Sequence, residues 1–339
     1  MILVIYGTRP EYIKIRPLLK QFREESILYK TLFTGQHKDL LDAELTEIDK
    51  ADYVIDISPS LGNRLNDVVK SCLSTPEHVF QGITHILVQG DTSSVVGLAL
   101  NGLHRKIPVI HLEAGLRTND YNNPYPEENN RRIVSTIAQI HLCPTSLNYR
   151  NLEEENILGN KFIVGNTVLD EMLEYRKNME YQDKILVTLH RRENHDKMDK
   201  WFKELEDLAL YHQDLKFILP IHPNPNVTKH RHILKRVNVI EPLSRDSLLE
   251  LLSKCKMVIT DSGGIQEECS FLNKKCLVCR ETTERPEVLG LSSFIVKSPD
   301  NLFDLFNTHL NDYKIEIESP YGDGKASEKI CKILKNYGV

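Results

Sequence analysis

The chain contains 339 residues, of which 40% are hydrophobic and 27% are charged; this is the composition of a folded globular protein, and the length favours two domains. Lys and Arg number 43 against 48 Asp and Glu, so the net charge of −5 argues against a nucleic-acid-binding surface. No apolar run approaches the roughly 18 to 20 residues that a membrane-spanning helix needs.

The chain begins with an apolar stretch, residues 1–6, that has neither a basic leader nor a cleavage site, so it predicts a first strand rather than a signal peptide. Short apolar runs then alternate with segments of helical periodicity, which favours parallel sheets covered by helices on both faces. The predicted strands are 2–6, 86–89, 109–112, 185–189, 217–221, 237–240, 257–260, 275–278 and 294–296.

The strand–helix pattern occurs twice, and a polar segment at 171–183 separates the two occurrences. We therefore predict an α/β protein of two doubly wound, Rossmann-like domains with parallel sheets and an interdomain cleft. The N-terminal domain, with the candidate catalytic acids, covers 1–168, and the C-terminal domain covers 182–322. The last segment, 323–339, predicts a helix that could pack back on the N-terminal domain.

The seven cysteines are scattered along the chain. Cys276 and Cys279 form one CxxC pair, but neither a second pair nor a His pair stands at zinc-binding spacing, so a buried strand is the favoured interpretation. A GxGxxG loop is absent as well, which argues against a nicotinamide cofactor. The sequence predicts an enzyme without a metal or other cofactor, in a reducing, cytoplasmic environment.

Ligands of doubly wound sheets bind at the carboxyl ends of the strands. Six predicted strands are followed directly by segments rich in Gly, Arg, His, Asp or Glu. Chance would place such residues after two or three strands, so six indicate a site. The segments are 7–11, 90–92, 113–118, 190–194, 222–225 and 260–268.

The segment 260–268, Thr-Asp-Ser-Gly-Gly-Ile-Gln-Glu-Glu, is the most informative of the six. It predicts a strand that ends at a Ser-Gly-Gly turn, where a helix begins. The backbone N–H groups of Ser262, Gly263 and Gly264 could then bind a phosphate. Glu267 and Glu268 follow one turn later and are better placed to accept hydrogen bonds from ribose hydroxyls. An ordinary glycine-rich turn is the structural alternative.

Basic residues at or near the other strand ends could neutralise a diphosphate. The candidates are Arg9, Lys14, His190 and Arg191. Three of the four have a structural alternative: Arg9 could be a surface arginine, Lys14 an exposed helix lysine, and His190 a buried core histidine.

Three acids of the N-terminal half, Asp91, Glu113 and Glu127, are candidates for acid–base chemistry. Asp91 and Glu127 each stand near the predicted start of a helix and could be caps instead. Glu113 could simply pair with Arg117.

Together these segments resemble the non-hydrolysing UDP-N-acetylglucosamine 2-epimerases. The matching stretches run in order over about residues 7–287, and the ordered set is far more specific than any one of them. They are 7–11 with Lys14 and Pro17, 34–37, 90–92, 111–118, 126–131, 190–194, 221–225, 260–268 and 280–287.

The resemblance implies a glycosyltransferase-B-like fold with UDP in the cleft, and a homodimer. It implies reversible conversion of UDP-N-acetylglucosamine to UDP-N-acetylmannosamine by anti elimination of UDP, through 2-acetamidoglucal, followed by re-addition. The implied catalytic residues are Asp91, Glu113, Glu127, Arg131 and His190. The implied substrate-binding residues are Arg9, Lys14, His190, Ser262, Gly263, Gly264 and Glu268.

Bacterial members of that family also bind an activating UDP-N-acetylglucosamine in an outer pocket. Gln36, His37 and Arg64 resemble part of that pocket, whereas Asp39 stands where a second glutamine is expected, which weakens the prediction of activation. Three other functions stay open: a hydrolysing epimerase, a glycosyltransferase on the same scaffold, and a sugar-nucleotide sensor without catalysis.

Overall fold

A computed structural model of the chain describes residues 1–36, 50–57, 62–122 and 124–338. These residues divide into two compact units: unit 1 is Met1–Glu171 with Gly322–Val339, and unit 2 is Met172–Tyr321. Each unit is built on a parallel sheet of its own with helices packed on it. The predicted α/β class with two Rossmann-like parallel sheets is therefore confirmed.

The sheet of unit 1 is formed by β1 (Ile2–Tyr6), β2 (Tyr29–Phe33), β3 (Tyr53–Val54), β4 (His85–Gln89), β5 (Val109–Leu112), β6 (Ile140–Cys143) and β7 (Asn160–Ile163). Its seven strands lie in the order β3-β2-β1-β4-β5-β6-β7. The strand order therefore reverses between β1 and β4. The carboxyl ends at such a switch point diverge, and ligands of doubly wound sheets bind there.

The helices of unit 1 are α1 (Arg9–Glu24), α2 (Arg64–Leu73), α3 (Ser93–His104), α4 (Glu127–Ile137), α5 (Ser146–Glu154) and a C-terminal helix (Ala326–Asn336). Thr8 caps α1 in a capping box with Glu11. The apolar face of α1 is buried against β1 and the C-terminal helix. That last helix is fixed by Asp170, which accepts its first backbone N–H groups, from Ala326 at 2.9 Å and Ser327 at 2.7 Å.

The sheet of unit 2 is formed by β8 (Lys184–Thr188), β9 (Lys216–Pro220), β10 (Asn238–Ile240), β11 (Met257–Thr260), β12 (Lys275–Val278) and β13 (Ser293–Ile295). Its six strands lie in the order β10-β9-β8-β11-β12-β13, with the reversal between β8 and β11. Its helices are α6 (Leu173–Lys177), α7 (Met198–Tyr211), α8 (Pro225–Thr228), α9 (Arg245–Lys254), α10 (Gly263–Phe271) and α11 (Leu302–Leu310).

All nine predicted strands are present, with ends that differ by no more than one residue. Four further strands were not predicted: β2, β3, β6 and β7. Lys161 in β7 and the fully buried His141 in β6 interrupt the apolar runs on which the prediction depended. In the described part of the chain, no helix is both long and apolar enough to cross a membrane.

Candidate active site

The first group of candidate residues lies at the carboxyl ends of β1, β4 and β5 in unit 1. These strands are adjacent and parallel, with Ile2 opposite His85 and Gln89 opposite Leu112. Gly7, Gly90 and Glu113 follow the three strands directly, so the fold brings the segments after them to one edge of the sheet.

Glu113 is held by two donors from different elements. Lys14 of α1 donates to Oε1, and Gln89 at the end of β4 donates to Oε2. The backbone of Glu113 has φ of +66°, a left-handed conformation that is costly for a residue with a side chain. The structural alternatives for Glu113 and Lys14 do not hold. Arg117 pairs with Glu155 at 2.8 Å rather than with Glu113. Lys14 is half-buried in an ion pair rather than exposed on its helix.

Asp91 follows β4 and pairs with Arg131 of α4. Both Nε and Nη2 of Arg131 contact Oδ2 of Asp91 at 2.8 Å. Burial raises the pKa of Asp91; Arg131 opposes this shift and the charge of Glu113 adds to it. Asp91 does not cap α3, because the side chain that accepts from the first turn is that of Thr92. Asp91 is therefore a half-buried acid close to a second acid.

Glu127 is the first residue of α4, the helix that carries Arg131. The cap position belongs to Pro126, which makes no side-chain cap bond, so the predicted capping role does not fall to Glu127. The adjacent Glu128 organises this region. It is fully buried and accepts from Thr118 N at 2.9 Å and Arg131 Nη1 at 3.1 Å. Burial raises the pKa of Glu128, but these hydrogen bonds outweigh it and the net shift is downward.

Glu11 links the segments that follow β1 and β4. Its Oε2 accepts from Gly7 N at 2.6 Å and Thr8 N at 2.9 Å, and its Oε1 accepts from Thr92 Oγ1 at 2.7 Å. Burial raises the pKa of Glu11 to about 7, although the three hydrogen bonds lower it. Arg9 directly follows Thr8 and is the half-buried first residue of α1. Glu11 thus fixes the backbone from which Arg9 projects.

The second group of candidate residues lies at the carboxyl ends of β8 and β11 in unit 2. Asp261, the residue after β11, is fully buried. Its Oδ2 accepts from His190 N at 2.9 Å, Arg191 N at 2.8 Å and Asn194 Nδ2 at 3.0 Å. The carboxylate of Asp261 therefore holds the segment that follows β8 through three hydrogen bonds.

His190 lies with its Nδ1 3.5 Å from Asp261 Oδ1, and its ring stacks on that of His222 with centroids 5.1 Å apart. Burial lowers the pKa of His190, while Asp261 raises it. The net shift is downward, so the imidazole is neutral at neutral pH. With 37% of the side chain exposed, His190 is not the core histidine of the structural alternative.

The Ser-Gly-Gly turn has the predicted form. β11 ends at Thr260, and Ser262 caps α10 by accepting from Ile265 N at 3.5 Å. A methyl group added at Gly263 would lie 3.9 Å from Nη2 of Arg285 and 4.0 Å from Nη2 of Arg191. Two guanidinium groups therefore lie beside the helix N-terminus, an arrangement that suits an anion.

The two glutamates of α10 are engaged by arginines. Glu268 is 3% exposed and accepts from Arg245 Nη1 at 2.7 Å. Its Oε2 is buried without a hydrogen-bond partner in the described structure, as are Nε and Nη2 of Arg245. Glu267 accepts from Arg285. Of the two, Glu268 retains a buried acceptor for which a hydroxyl donor would be a suitable partner.

Of the predicted outer pocket, the structure brings Arg64 and Gln36 together. Arg64 Nη2 donates to the Gln36 carbonyl at 2.9 Å, and the Gln36 side chain accepts from Ser94 Oγ at 2.7 Å. His37 and Asp39, the other residues of this prediction, lie outside the described residues.

Five residues that organise these sites were not singled out from the sequence: Glu11, Gln89, Glu128, Asp261 and Arg285. All of them except Gln89 stand inside segments that were recognised, so their position was a usable signal. Gln89 ends a strand whose next residues were noted. All seven cysteines are buried and unpaired, and the described residues contain no cluster of His, Cys, Asp or Glu that could hold a metal ion.

The family model of UDP-N-acetylglucosamine 2-epimerase matches residues 20–335 of the chain. This chain belongs to the UDP-N-acetylglucosamine 2-epimerase family. A family relative from Escherichia coli K12, named UDP-N-acetylglucosamine 2-epimerase, is 34% identical, and the alignment covers 99% of this chain and 98% of the relative.

Solved structures of the family agree in fold. The Neisseria meningitidis enzyme bound to UDP-GlcNAc matches with a TM-score of 0.86 and 35% identity, covering 99% of each chain. The Methanocaldococcus jannaschii enzyme in complex with UDP-GlcNAc and UDP matches with a TM-score of 0.79 and 29% identity, again over 99% of each chain.

Proposed function

We propose that the chain catalyses the reversible epimerisation of UDP-N-acetylglucosamine at C2 to UDP-N-acetylmannosamine. Family membership supports this activity, because relatives that align over nearly their whole length carry the name of that enzyme. One observation on this chain carries the proposal furthest: Asp91 and Glu113 are two carboxyl groups at neighbouring strand ends, and each is held by a different cation.

The proposed reaction requires more than one acid–base group. A base removes the C2 proton, and the electron pair of that C–H bond forms the C1–C2 double bond. The C1–O bond breaks, and its electron pair leaves on the β-phosphate oxygen of UDP. After a proton is delivered to the opposite face of C2, an oxygen of the β-phosphate of the retained UDP donates an electron pair to C1 and re-forms the C1–O bond. Inversion at C2 thus needs removal on one face and delivery on the other.

The proposal assigns proton transfer to the acids of unit 1. Asp91, Glu113 and Glu127 are the acid–base groups, with Arg131 orienting Asp91. A raised pKa suits Asp91 to hold a proton when it is needed.

The proposal assigns the leaving group to donors and cations that suit a diphosphate. Arg9, Lys14, His190 and the N–H groups of Ser262, Gly263 and Gly264 bind UDP, and Glu268 accepts from its ribose. A fixed set of donors stabilises the charge that develops as the C1–O bond breaks. Retention of UDP distinguishes this reaction from hydrolysis, which releases UDP and free N-acetylmannosamine.

The test is turnover of UDP-N-acetylglucosamine in heavy water, followed by NMR and by chromatography of nucleotides. We expect deuterium at C2, a mixture with the manno epimer, and no accumulation of UDP. Steady accumulation of UDP would indicate the hydrolysing reaction, and a requirement for an added acceptor would indicate a glycosyltransferase. Binding of the sugar nucleotide without any C2 exchange would indicate a sugar-nucleotide sensor without catalysis and would refute the proposal.

A further inference from the structure

Gln89 contacts Glu113, one of the proposed acid–base groups, but has no role in the reaction described above. It is the last residue of β4, is 2% exposed, and donates through Nε2 to Oε2 of Glu113. Lys14 donates to the other oxygen, Oε1. The two oxygens of one carboxylate are therefore each engaged by a donor, one charged and one neutral.

The surroundings of Glu113 contain groups of both signs. Lys14 faces it from α1, Asp91 faces it from the end of β4, and His111 lies in β5, the strand that Glu113 follows. Burial lowers the pKa of His111 to about 3, so this ring is neutral at any working pH. Arg131 is paired with Asp91.

The same groups line a small pocket. Its walls include Lys14, Gln89 and Glu113, and Asn166 and Thr167 complete its polar lining. The carboxyl group of Glu113 therefore lies at a concave surface, next to the amide that holds it.

A glutamine differs from the alternatives at this position in a specific way. Its amide donates to a carboxylate without adding charge, whereas an aliphatic side chain donates nothing and a glutamate repels. A donor stabilises the ionised form of its carboxyl partner over the protonated form. Glu113 has a left-handed backbone conformation, with φ of +66°, which is energetically unfavourable for a residue with a side chain. In this conformation its carboxyl group lies between the two donors.

We propose that Gln89 is a positioning residue that fixes the carboxyl group of Glu113 and, with Lys14, keeps it ionised. This inference rests on the proposed function only in taking Glu113 as an acid–base group. Gln89 acts through Glu113 and has no role of its own in moving a proton.

The test compares Gln89→Met and Gln89→Glu with the unaltered protein. Gln89→Met removes the donor at similar volume, and Gln89→Glu replaces it with a second acid of the same shape. Gln81→Glu is the matched control, because it introduces the same change at an exposed glutamine in the turn before β4. The ionisation of Glu113 is followed by NMR with glutamate labelled with ¹³C at the side-chain carboxyl, and its signal is identified by its loss in Glu113→Gln.

We expect the titration midpoint of Glu113 to rise by about one pH unit in Gln89→Met, because a hydrogen bond to a charged group is lost. In Gln89→Glu the rise is larger, since two neighbouring acids then compete for one proton. Gln81→Glu leaves the midpoint unchanged. In the active enzyme, the acid limb of the rate of C2 exchange moves upward by the same amount, while UDP affinity is unchanged.

A midpoint that stays within a few tenths of a pH unit in either folded variant would overturn the inference. Since each variant is decisive alone, failure of one to fold leaves the test to the other. The outcome is separable from that of the proposed function. An unaltered protein that exchanges no C2 hydrogen refutes the epimerase activity, while the NMR titration still decides the role of Gln89.

Discussion

Charged residues at the carboxyl ends of the strands have different partners in the two units. In unit 1, Asp91 and Glu113 are paired with separate cations, and the pKa of Asp91 is raised. In unit 2, the fully buried Asp261 orders backbone N–H groups, and guanidinium groups lie beside Gly263. The comparison teaches that one architecture, a doubly wound sheet, can present acids suited to proton transfer or donors suited to an anion.

The largest effect is expected from the acids of unit 1. Asp91→Asn, or Glu113→Gln, should lower turnover by about 10²- to 10⁴-fold, the usual contribution of general acid–base catalysis. UDP affinity should stay within about threefold of the unaltered value, because the groups assigned to the nucleotide are unchanged. Initial rates and calorimetric titration with UDP measure the two quantities.

Asp214→Asn, at an exposed position of unit 2, is the control for the same chemical change and should behave as the unaltered protein. Full turnover in either acid variant would remove that residue from the acid–base group. A parallel loss of UDP affinity would break the contrast between the two units.

A smaller effect, in the opposite pattern, is expected from Asp261→Asn in unit 2. The amide oxygen can replace Oδ2 and keep the three donors, His190 N, Arg191 N and Asn194 Nδ2, but it carries no negative charge, so hydrogen bonds to a charged group become weaker neutral ones. We expect this to cost about 1–3 kcal/mol. We expect UDP affinity to fall by about 10- to 100-fold in line with that free energy. Titration with UDP and thermal unfolding measure the two consequences.

Asp312→Asn, which alters an exposed carboxylate on the same unit, serves as the reference and should leave UDP affinity unchanged. Unfolding at a lower temperature with unaltered UDP affinity would show that Asp261 supports the fold alone, and the assignment of this region to the anion would lose its support.

A third effect concerns the pH dependence of the free energy of unfolding. The pKa of Glu11 is about 7 in the folded chain against 4.5 for the ordinary side chain. Because the folded state binds this proton more tightly, stability falls as the pH rises from about 4.5 to about 7. Glu11→Gln resembles the protonated acid, so it does not lose stability over this pH range. The free energy of unfolding of the variant, minus that of the unaltered protein, should therefore increase by up to about 3 kcal/mol from acidic to mildly alkaline pH.

Denaturant unfolding at about pH 5 and about pH 8 measures the difference. A stability difference that is the same at both pH values would show that Glu11 is ionised in the folded chain. Glu25→Gln, which removes an exposed glutamate near the end of α1, is the comparison variant for the loss of one carboxyl group.

Much of the fold could be predicted because its signals are local. The strand before Thr260 and the helix after Ser262 are marked by an apolar run, two glycines and a capping serine within a few residues. β6 and β7 were missed because their strand character comes from sheet neighbours, with His141 buried opposite His111 rather than in an apolar run.

The candidate site could be predicted only as a set of residues. The sequence singled out Asp91, Glu113 and Lys14, but Lys14 and Glu113 are 99 positions apart, and no local pattern reports that they pair. Arg117 was the nearest basic residue in sequence and was the wrong partner, because its side chain turns to Glu155. Gln89 and Asp261 were missed for the same reason, since their partners are set by the tertiary fold.

The central claim is that the C1–O bond of the sugar nucleotide breaks and re-forms while UDP stays bound. Positional isotope exchange tests it most directly, with ¹⁸O in the oxygen that bridges C1 and the β-phosphate. We predict that the label scrambles into the non-bridging β-phosphate oxygens at a rate comparable with C2 exchange. If C2 exchanges its hydrogen while the label stays in the bridge, the C1–O bond does not break and the proposed elimination is excluded.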